Sequence, residues 1–208
     1  MCIRDSSWFK QLELIPSDGA PKPPELPLGL EARARICGRL QSMDIDIRDY
    51  RLSYSPATDE PQLLLSHGRG QEPTFSISFQ EESAGVKKLL GLIPSLIRSL
   101  EEGTLLMADD LDSFLHPQLL RALVRLYTAR ESNRHNAQLL FTSHNTAILT
   151  PADLRRDEIW LCCRSEKGEA HLYPLTSYKK ENGLIPRNDE AYGKQYLEGR
   201  YGAIPHIR

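Results

Sequence analysis

The sequence predicts an α/β protein built on parallel strands with helical crossovers, carrying a small antiparallel β meander and a hairpin. Three observations point there. A helix-spaced apolar stretch, a short apolar run, a second helical stretch and a second apolar run follow one another between residues 86 and 142. That alternation makes a parallel sheet. Both apolar runs stop abruptly in polar clusters, Asp109-Asp110 and Ser143-His144-Asn145. In open α/β sheets chemistry collects at the carboxyl ends of the strands, so both clusters stand where a site belongs.

Each element follows in chain order. The opening Met-Cys-Ile-Arg-Asp-Ser, read as codons, resembles the end of a transposon adapter used to build sequencing libraries. Residues 1 to about 6 are therefore expected to be a scar on a truncated reading frame, outside fold reasoning. Residues 11–30 hold Pro16, Pro21, Pro23, Pro24 and Pro27 without apolar periodicity, which predicts an extended linker or surface loop. A short helix follows over about 30–43, with Ile36, Leu40 and Met43 on one face. Residues 44–80 alternate as three strands, with His-Gly-Arg-Gly at 67–70 turning the chain before the last. Residues 1–30 thus divide from a helix-plus-meander region at 31–80 and a main lobe at 81–208.

In the main lobe Val86, Leu89, Leu90, Ile93, Ile97 and Leu100 recur at helical spacing, with Gly103 where a C-terminal cap belongs. Pro94 is expected to kink this helix. The run at 104–108 follows, and Pro117 then opens a helix whose Leu119, Leu120, Leu123 and Leu126 face inward. The second run occupies 138–142. Thr150-Pro151 predicts a short helix, with Asp153 meeting its first-turn amides. Residues 158–164 and 169–175 read as a hairpin across Lys167-Gly168, and the tail carries one helical stretch.

Composition narrows the function. The chain has 208 residues, 40% hydrophobic and 26% charged, with a net charge of −2. Acids and bases are interspersed, so no basic stripe for nucleic acid or membrane surface is forecast. No apolar run reaches the ~18–20 residues of a membrane helix, and no secretory leader pattern opens the chain. The four cysteines lack C-x-x-C spacing, and adjacent Cys162 and Cys163 would point to opposite faces of a strand. A reducing cytoplasm is expected.

A carboxylate ending a buried parallel strand suits Mg²⁺, a hard cation that keeps several waters and meets substrate phosphates. Asp109 fits that role, and Asp110 could polarise an attacking water. The same pair also reads as loop acids stabilised by the dipole of the next helix. His144 could face a γ-phosphate, or be a satisfied polar residue after a strand. Glu82-Ser83-Ala84-Gly85 offers a hydroxyl and backbone amides to an anion, or Ser83 is an ordinary N-cap.

Taken together and in order, these motifs resemble a family: bacterial AAA-type ATPases with ABC-like heads, related in architecture to the heads of SMC proteins. The resemblance runs through Glu82-Ser-Ala-Gly-Val-Lys-Lys-Leu-Leu, Leu105-Leu-Met-Ala-Asp-Asp-Leu-Asp-Ser-Phe-Leu-His-Pro and Phe141-Thr-Ser-His-Asn-Thr. It continues through Arg155-Arg-Asp-Glu-Ile-Trp to Tyr196-Leu-Glu-Gly-Arg-Tyr-Gly-Ala-Ile-Pro. It covers roughly residues 65–208 and implies the C-terminal part of an ABC-like P-loop ATPase. It implies ATP and Mg²⁺ as cofactors and a homodimer closing head-to-tail around two ATP molecules. Ser83 and Gly85 would touch the nucleotide of the second subunit, and Asp109 would be the Walker B aspartate. Asp110 and His144 would be catalytic, the latter as the switch histidine. Ser113 and His116 would lie in the D-loop at the dimer interface.

Two departures qualify that picture. Asp110 stands where the family usually has glutamate, one methylene longer. No G-x-x-x-x-G-K-[ST] occurs in the 208 residues, so nothing here cradles phosphates or sends a lysine to the β/γ oxygens. The P-loop lobe is expected upstream, and the 208 residues alone are expected to be inactive. A rival reading is a non-catalytic interaction module, and a lower-ranked one is a transporter's motor domain. A toxin, a nuclease or DNA are the partners compatible with such a head; no membrane partner is expected.

Overall fold

The computed structural model describes residues 14–15, 26–54, 60–68, 70, 74–165, 167–178, 186–187 and 190–204. Two compact units divide at Thr142 and Ser143. In chain order the first holds β1 (Leu14–Ile15), α1 (Leu30–Gln41), β2 (Ile47–Tyr54), β3 (Pro61–His67), β4 (Phe75–Ser78), α2 (Ala84–Glu102), β5 (Leu105–Ala108), α3 (Pro117–Thr128) and β6 (Gln138–Phe141). The second holds β7 (Trp160–Arg164), β8 (Ala170–Pro174) and α4 (Tyr192–Leu197), with single 3-10 turns at Thr146–Ile148 and Leu175–Ser177.

The fold is α/β, as expected. β5 lies between β1 and β6, parallel to both, with Leu105 opposite Gln138 and Ala108 opposite Phe141. β1 corrects one expectation: Leu14 and Ile15, inside the stretch read as linker, pair with Met107 and Ala108. A two-residue strand is too short for alternation to betray it. The expectations for residues 1–13 and 16–25 lie outside the described residues.

α2 is the long element of this unit. Leu89, Leu90, Leu92, Ile93, Leu96 and Leu100 are buried along one face, each such side chain contributing roughly 1.5–3 kcal/mol on burial. Ser83 caps its start by accepting the Val86 N–H at 3.2 Å. Pro94 sits inside without ending the helix, its missing N–H leaving the Leu90 carbonyl without its usual bond. Gly103 ends it at φ 69°, and a Cβ there would stand 2.4 Å from the His135 carbonyl oxygen. That close, left-handed corner turns the chain directly into β5. α3 starts on Pro117 and buries Leu120, Leu123 and Val124; Leu119 and Leu126 are only half-buried.

β2, β3 and β4 form the expected antiparallel meander, with a bulge between Ile47 and Asp49. α1 covers it with Ile36, Cys37 and Leu40. Tyr50 is fully buried and donates its hydroxyl to the Pro27 carbonyl at 2.6 Å. Burial pushes the Cys37 thiol up to about 11 and the Tyr50 phenol up to about 12. Along β3 every second residue points inward: Leu63, Leu65 and then His67. A histidine thus ends an apolar row.

In the second unit β7 and β8 pair antiparallel, Trp160 opposite Pro174. Gly168 at φ 85° makes the turn. Ile159, Leu161, Leu175, Tyr192, Tyr201 and Ala203 form one core cluster. The tail is tied to the hairpin by the Tyr173 hydroxyl, which donates to the Tyr201 carbonyl. Thr150-Pro151 opens a turn rather than the expected helix. Its Thr150 hydroxyl donates to buried Asp153 at 2.9 Å, and the Thr150 carbonyl accepts the N–H groups of Asp153 and Leu154. Arg155 then pairs with Asp157 and Glu158 within the motif Arg155-Arg-Asp-Glu.

Two outcomes follow from this packing. Gly103→Val introduces a Cβ at a left-handed, crowded position and lowers the urea-unfolding free energy by about 2 kcal/mol or more; an unchanged midpoint contradicts the corner. The raised Cys37 and Tyr50 groups stay neutral when folded but ionise earlier when unfolded, from their ordinary 9.0 and 10.0. Their stabilisation is therefore complete below pH 9 and lost as pH rises from about 9 to about 12. Melting temperature declines over that window, and Cys37→Ala removes part of the decline.

Candidate functional site

The carboxyl end of β5 is where the site is built. The ladder leaves the N–H groups after Ala108 without strand partners, and Thr142, the residue after β6, takes them up. Its hydroxyl accepts the Asp110 N–H at 2.8 Å and donates to the Asp109 carboxylate. Its carbonyl accepts the Leu111 N–H at 3.0 Å, and its own N–H donates to the Ala108 carbonyl at 3.1 Å. Asp109 is exposed and held at the strand end by one side-chain bond. Asp110 leaves in the left-handed region at φ 46°, which aspartate tolerates better than most residues.

The loop from Asp110 to His116 is tight. Ser113 donates its N–H to the Asp110 carbonyl and Leu115 to that of Asp112, both at 3.0 Å. Phe114 is also left-handed, at φ 61°, and its ring is 71% exposed. Leu111 and Leu115 are buried and anchor the loop between these polar positions. His116, expected in the D-loop, is the N-cap of α3, its Nδ1 accepting the Gln118 N–H at 3.2 Å.

The start of α2 sits against this loop. A Cβ on Gly85 would stand 2.8 Å from the Phe114 carbonyl oxygen, so only glycine allows the approach. Lys88, one turn further, sends its ammonium to the Asp110 carbonyl and the Ser113 hydroxyl. Burial holds Lys88 below the ordinary lysine range, while the carboxylates of Asp112, Asp110 and Asp109 oppose that shift. One cation thus lies within the electrostatic reach of three carboxylates.

The structure therefore brings Ser83, Gly85, Asp109, Asp110 and Ser113 into one region of the first unit. His144 opens the second unit, exposed, two residues after Thr142. Lys88 and Thr142 were quoted in the resembling motifs but given no role by sequence reasoning. Their partners lie 22 to 33 residues away, beyond any local pattern. Among the described residues no group of three or more His, Cys, Asp or Glu could hold a metal ion. A single exposed carboxylate at a strand end fits Mg²⁺ only in its water- and phosphate-rich mode.

The sequence model of one family, described as "AAA domain, putative AbiEii toxin, Type IV TA system", matches residues 36–150. The chain belongs to this AAA-domain family. The match takes in the meander, α2, β5, α3 and β6, so both candidate carboxylates fall inside it. Membership places the chain in the nucleotide-binding, ATPase-type class, whose AAA domains bind nucleotide with Mg²⁺. No curated protein matches the chain. Among the described residues no helix is long and apolar enough to cross a membrane.

Thr142→Val keeps the shape but removes the hydroxyl serving Asp109 and Asp110. It lowers stability by about 0.5–1.5 kcal/mol and speeds amide exchange at Asp110, while Thr142→Ser keeps both bonds and restores protection. Equal behaviour of the two variants contradicts the role given to this hydroxyl.

Proposed function

We propose that this AAA domain is one half of a composite ATPase site and works as a dimeric, nucleotide-driven switch. The observation that carries the reading is Asp109, exposed at the carboxyl end of parallel β5 and oriented by the Thr142 hydroxyl. In this reading Asp109 holds Mg²⁺ through water, and Asp110 polarises the attacking water from one residue further. His144 contacts the γ-phosphate. Ser83 and Gly85 meet the nucleotide of a second copy, with Ser113 and His116 at the dimer interface. Bound Mg²⁺ would supply charge neutralisation for the developing phosphoryl oxygens.

Support comes from how the parts are tied. Lys88 joins the Asp110 main chain and Ser113 to the helix carrying Ser83 and Gly85. Nucleotide contact at one therefore bears mechanically on the other. The phosphate cradle has to come from outside these 208 residues, because no G-x-x-x-x-G-K-[ST] lies in them. Sparse free cysteines, Cys37, Cys162 and Cys163 among the described residues, suit action in a reducing cytoplasm. The family description names a putative toxin of a toxin–antitoxin system, and a toxin- or nuclease-type protein or DNA is the partner we propose for the head.

The absence of that loop favours a second reading, a nucleotide-independent interaction module in which the carboxylates are relics. One assay separates the two. With a P-loop-bearing polypeptide supplied, ATP hydrolysis falls at least about 100-fold in Asp109→Ala and in His144→Ala. Normal turnover in both variants overturns the ATPase reading and leaves the interaction module.

A further inference from the structure

A buried ion cluster lies outside the carboxylate end of the sheet. His67, the last residue of β3, is 6% exposed. Its Nδ1 stands 3.1 Å from Asp46 Oδ1 and its Nε2 2.6 Å from Glu82 Oε1. The Glu82 side chain is itself 6% exposed, whereas that of Asp46 is 37%. Phe75 of β4 stacks on the imidazole, with ring centroids 5.4 Å apart and planes 16° from parallel. The other Glu82 oxygen, Oε2, accepts the Ser83 N–H at 3.2 Å. A chain of contacts thus runs from Asp46 before β2, through the end of β3, to the backbone of the α2 cap.

The chemistry of that chain is restrictive. An imidazole presents two ring nitrogens, and here each is turned to one carboxylate. A carboxylate as buried as Glu82 is costly without such a partner. Packing alone would have been served by an apolar residue at position 67, continuing the row of Leu63 and Leu65. The polar cluster instead fixes one thing that packing does not: the direction in which Glu82 delivers the Ser83 backbone.

We propose that His67 is a positioning residue for the segment 83–85, clamping it through Glu82 and so coupling the antiparallel meander to the nucleotide-facing start of α2. The inference rests on the reading of Ser83 and Gly85 given above. Displacement of β3 relative to α2 would pull Glu82 and reorient Ser83 by way of its N–H. The meander is thereby the input and the cap of α2 the output, with the imidazole touching both carboxylates at once.

The test uses the full 208-residue chain and three variants: His67→Gln, Glu82→Gln and the double substitution. Each single variant speeds amide exchange at 83–86 about tenfold, with amides near Leu96 and Leu100 unchanged, and the double variant is no worse than either single. Unchanged exchange at 83–86, full additivity, or a uniform rise along α2 overturns the clamp. Should His67→Gln fail to fold, Asp46→Asn loosens the same chain from its exposed end and must raise exchange at 83–86 by a smaller factor. In the ATPase assay with a P-loop supplied, at a temperature where both single variants remain folded, each lowers kcat/KM about tenfold; unchanged kcat/KM beside faster exchange reduces His67 to a structural residue. Ser83→Ala probes the nucleotide reading on its own. If its turnover stays normal, that reading fails, whereas the exchange result still decides the clamp.

Discussion

The register of β5 against β6, closed by Thr142, is the constraint on which the site depends. A parallel pair only four residues long ends with backbone donors that need partners. Thr142 meets two of them, its hydroxyl receiving the Asp110 N–H and its carbonyl the Leu111 N–H, and the same hydroxyl donates to the exposed Asp109 carboxylate. With those groups satisfied, Asp110 can leave the strand in a left-handed conformation. The two neighbouring carboxylates therefore take different directions, although they are adjacent in sequence.

The second support is α2, a 19-residue helix capped at both ends. Its buried leucines fix it in the unit, and its first turn is then pressed against the loop after β5. Gly85 permits contact with the Phe114 carbonyl, and Lys88 reaches under the loop to Asp110 and Ser113. Burial holds the Lys88 ammonium below the ordinary lysine range, and the carboxylates of Asp112, Asp110 and Asp109 oppose that shift.

Much of the architecture was readable from periodicity. The helix-strand-helix-strand order predicted β5 and β6 as parallel strands, and Gly103 and Pro117 marked real helix ends. The meander and the hairpin were also visible, since alternation and turn residues are local signals. Two readings failed for local reasons of another kind. Leu14 and Ile15 are too few to show a period, and the turn at Thr150, closed by the Asp153 and Leu154 N–H groups on the Thr150 carbonyl, does not propagate into a helix. Ser83 is an N-cap, as one of its two sequence readings had it. Asp109 and Asp110 were legible because an apolar run that stops in acids is a pattern within six residues.

The roles of Lys88, Thr142 and His67 were not legible. Each acts on a partner 15 to 33 residues away, and no periodicity records such a meeting. The sequence by itself determined the element order, the strand ends and the residues with the chemistry to serve them, because those depend on nearest neighbours along the chain. Only the tertiary structure decided that a threonine closes the sheet, that a lysine joins helix to loop and that a buried histidine bridges two acids. Those choices are set by desolvation and hydrogen-bond partners, which exist only once distant segments have packed.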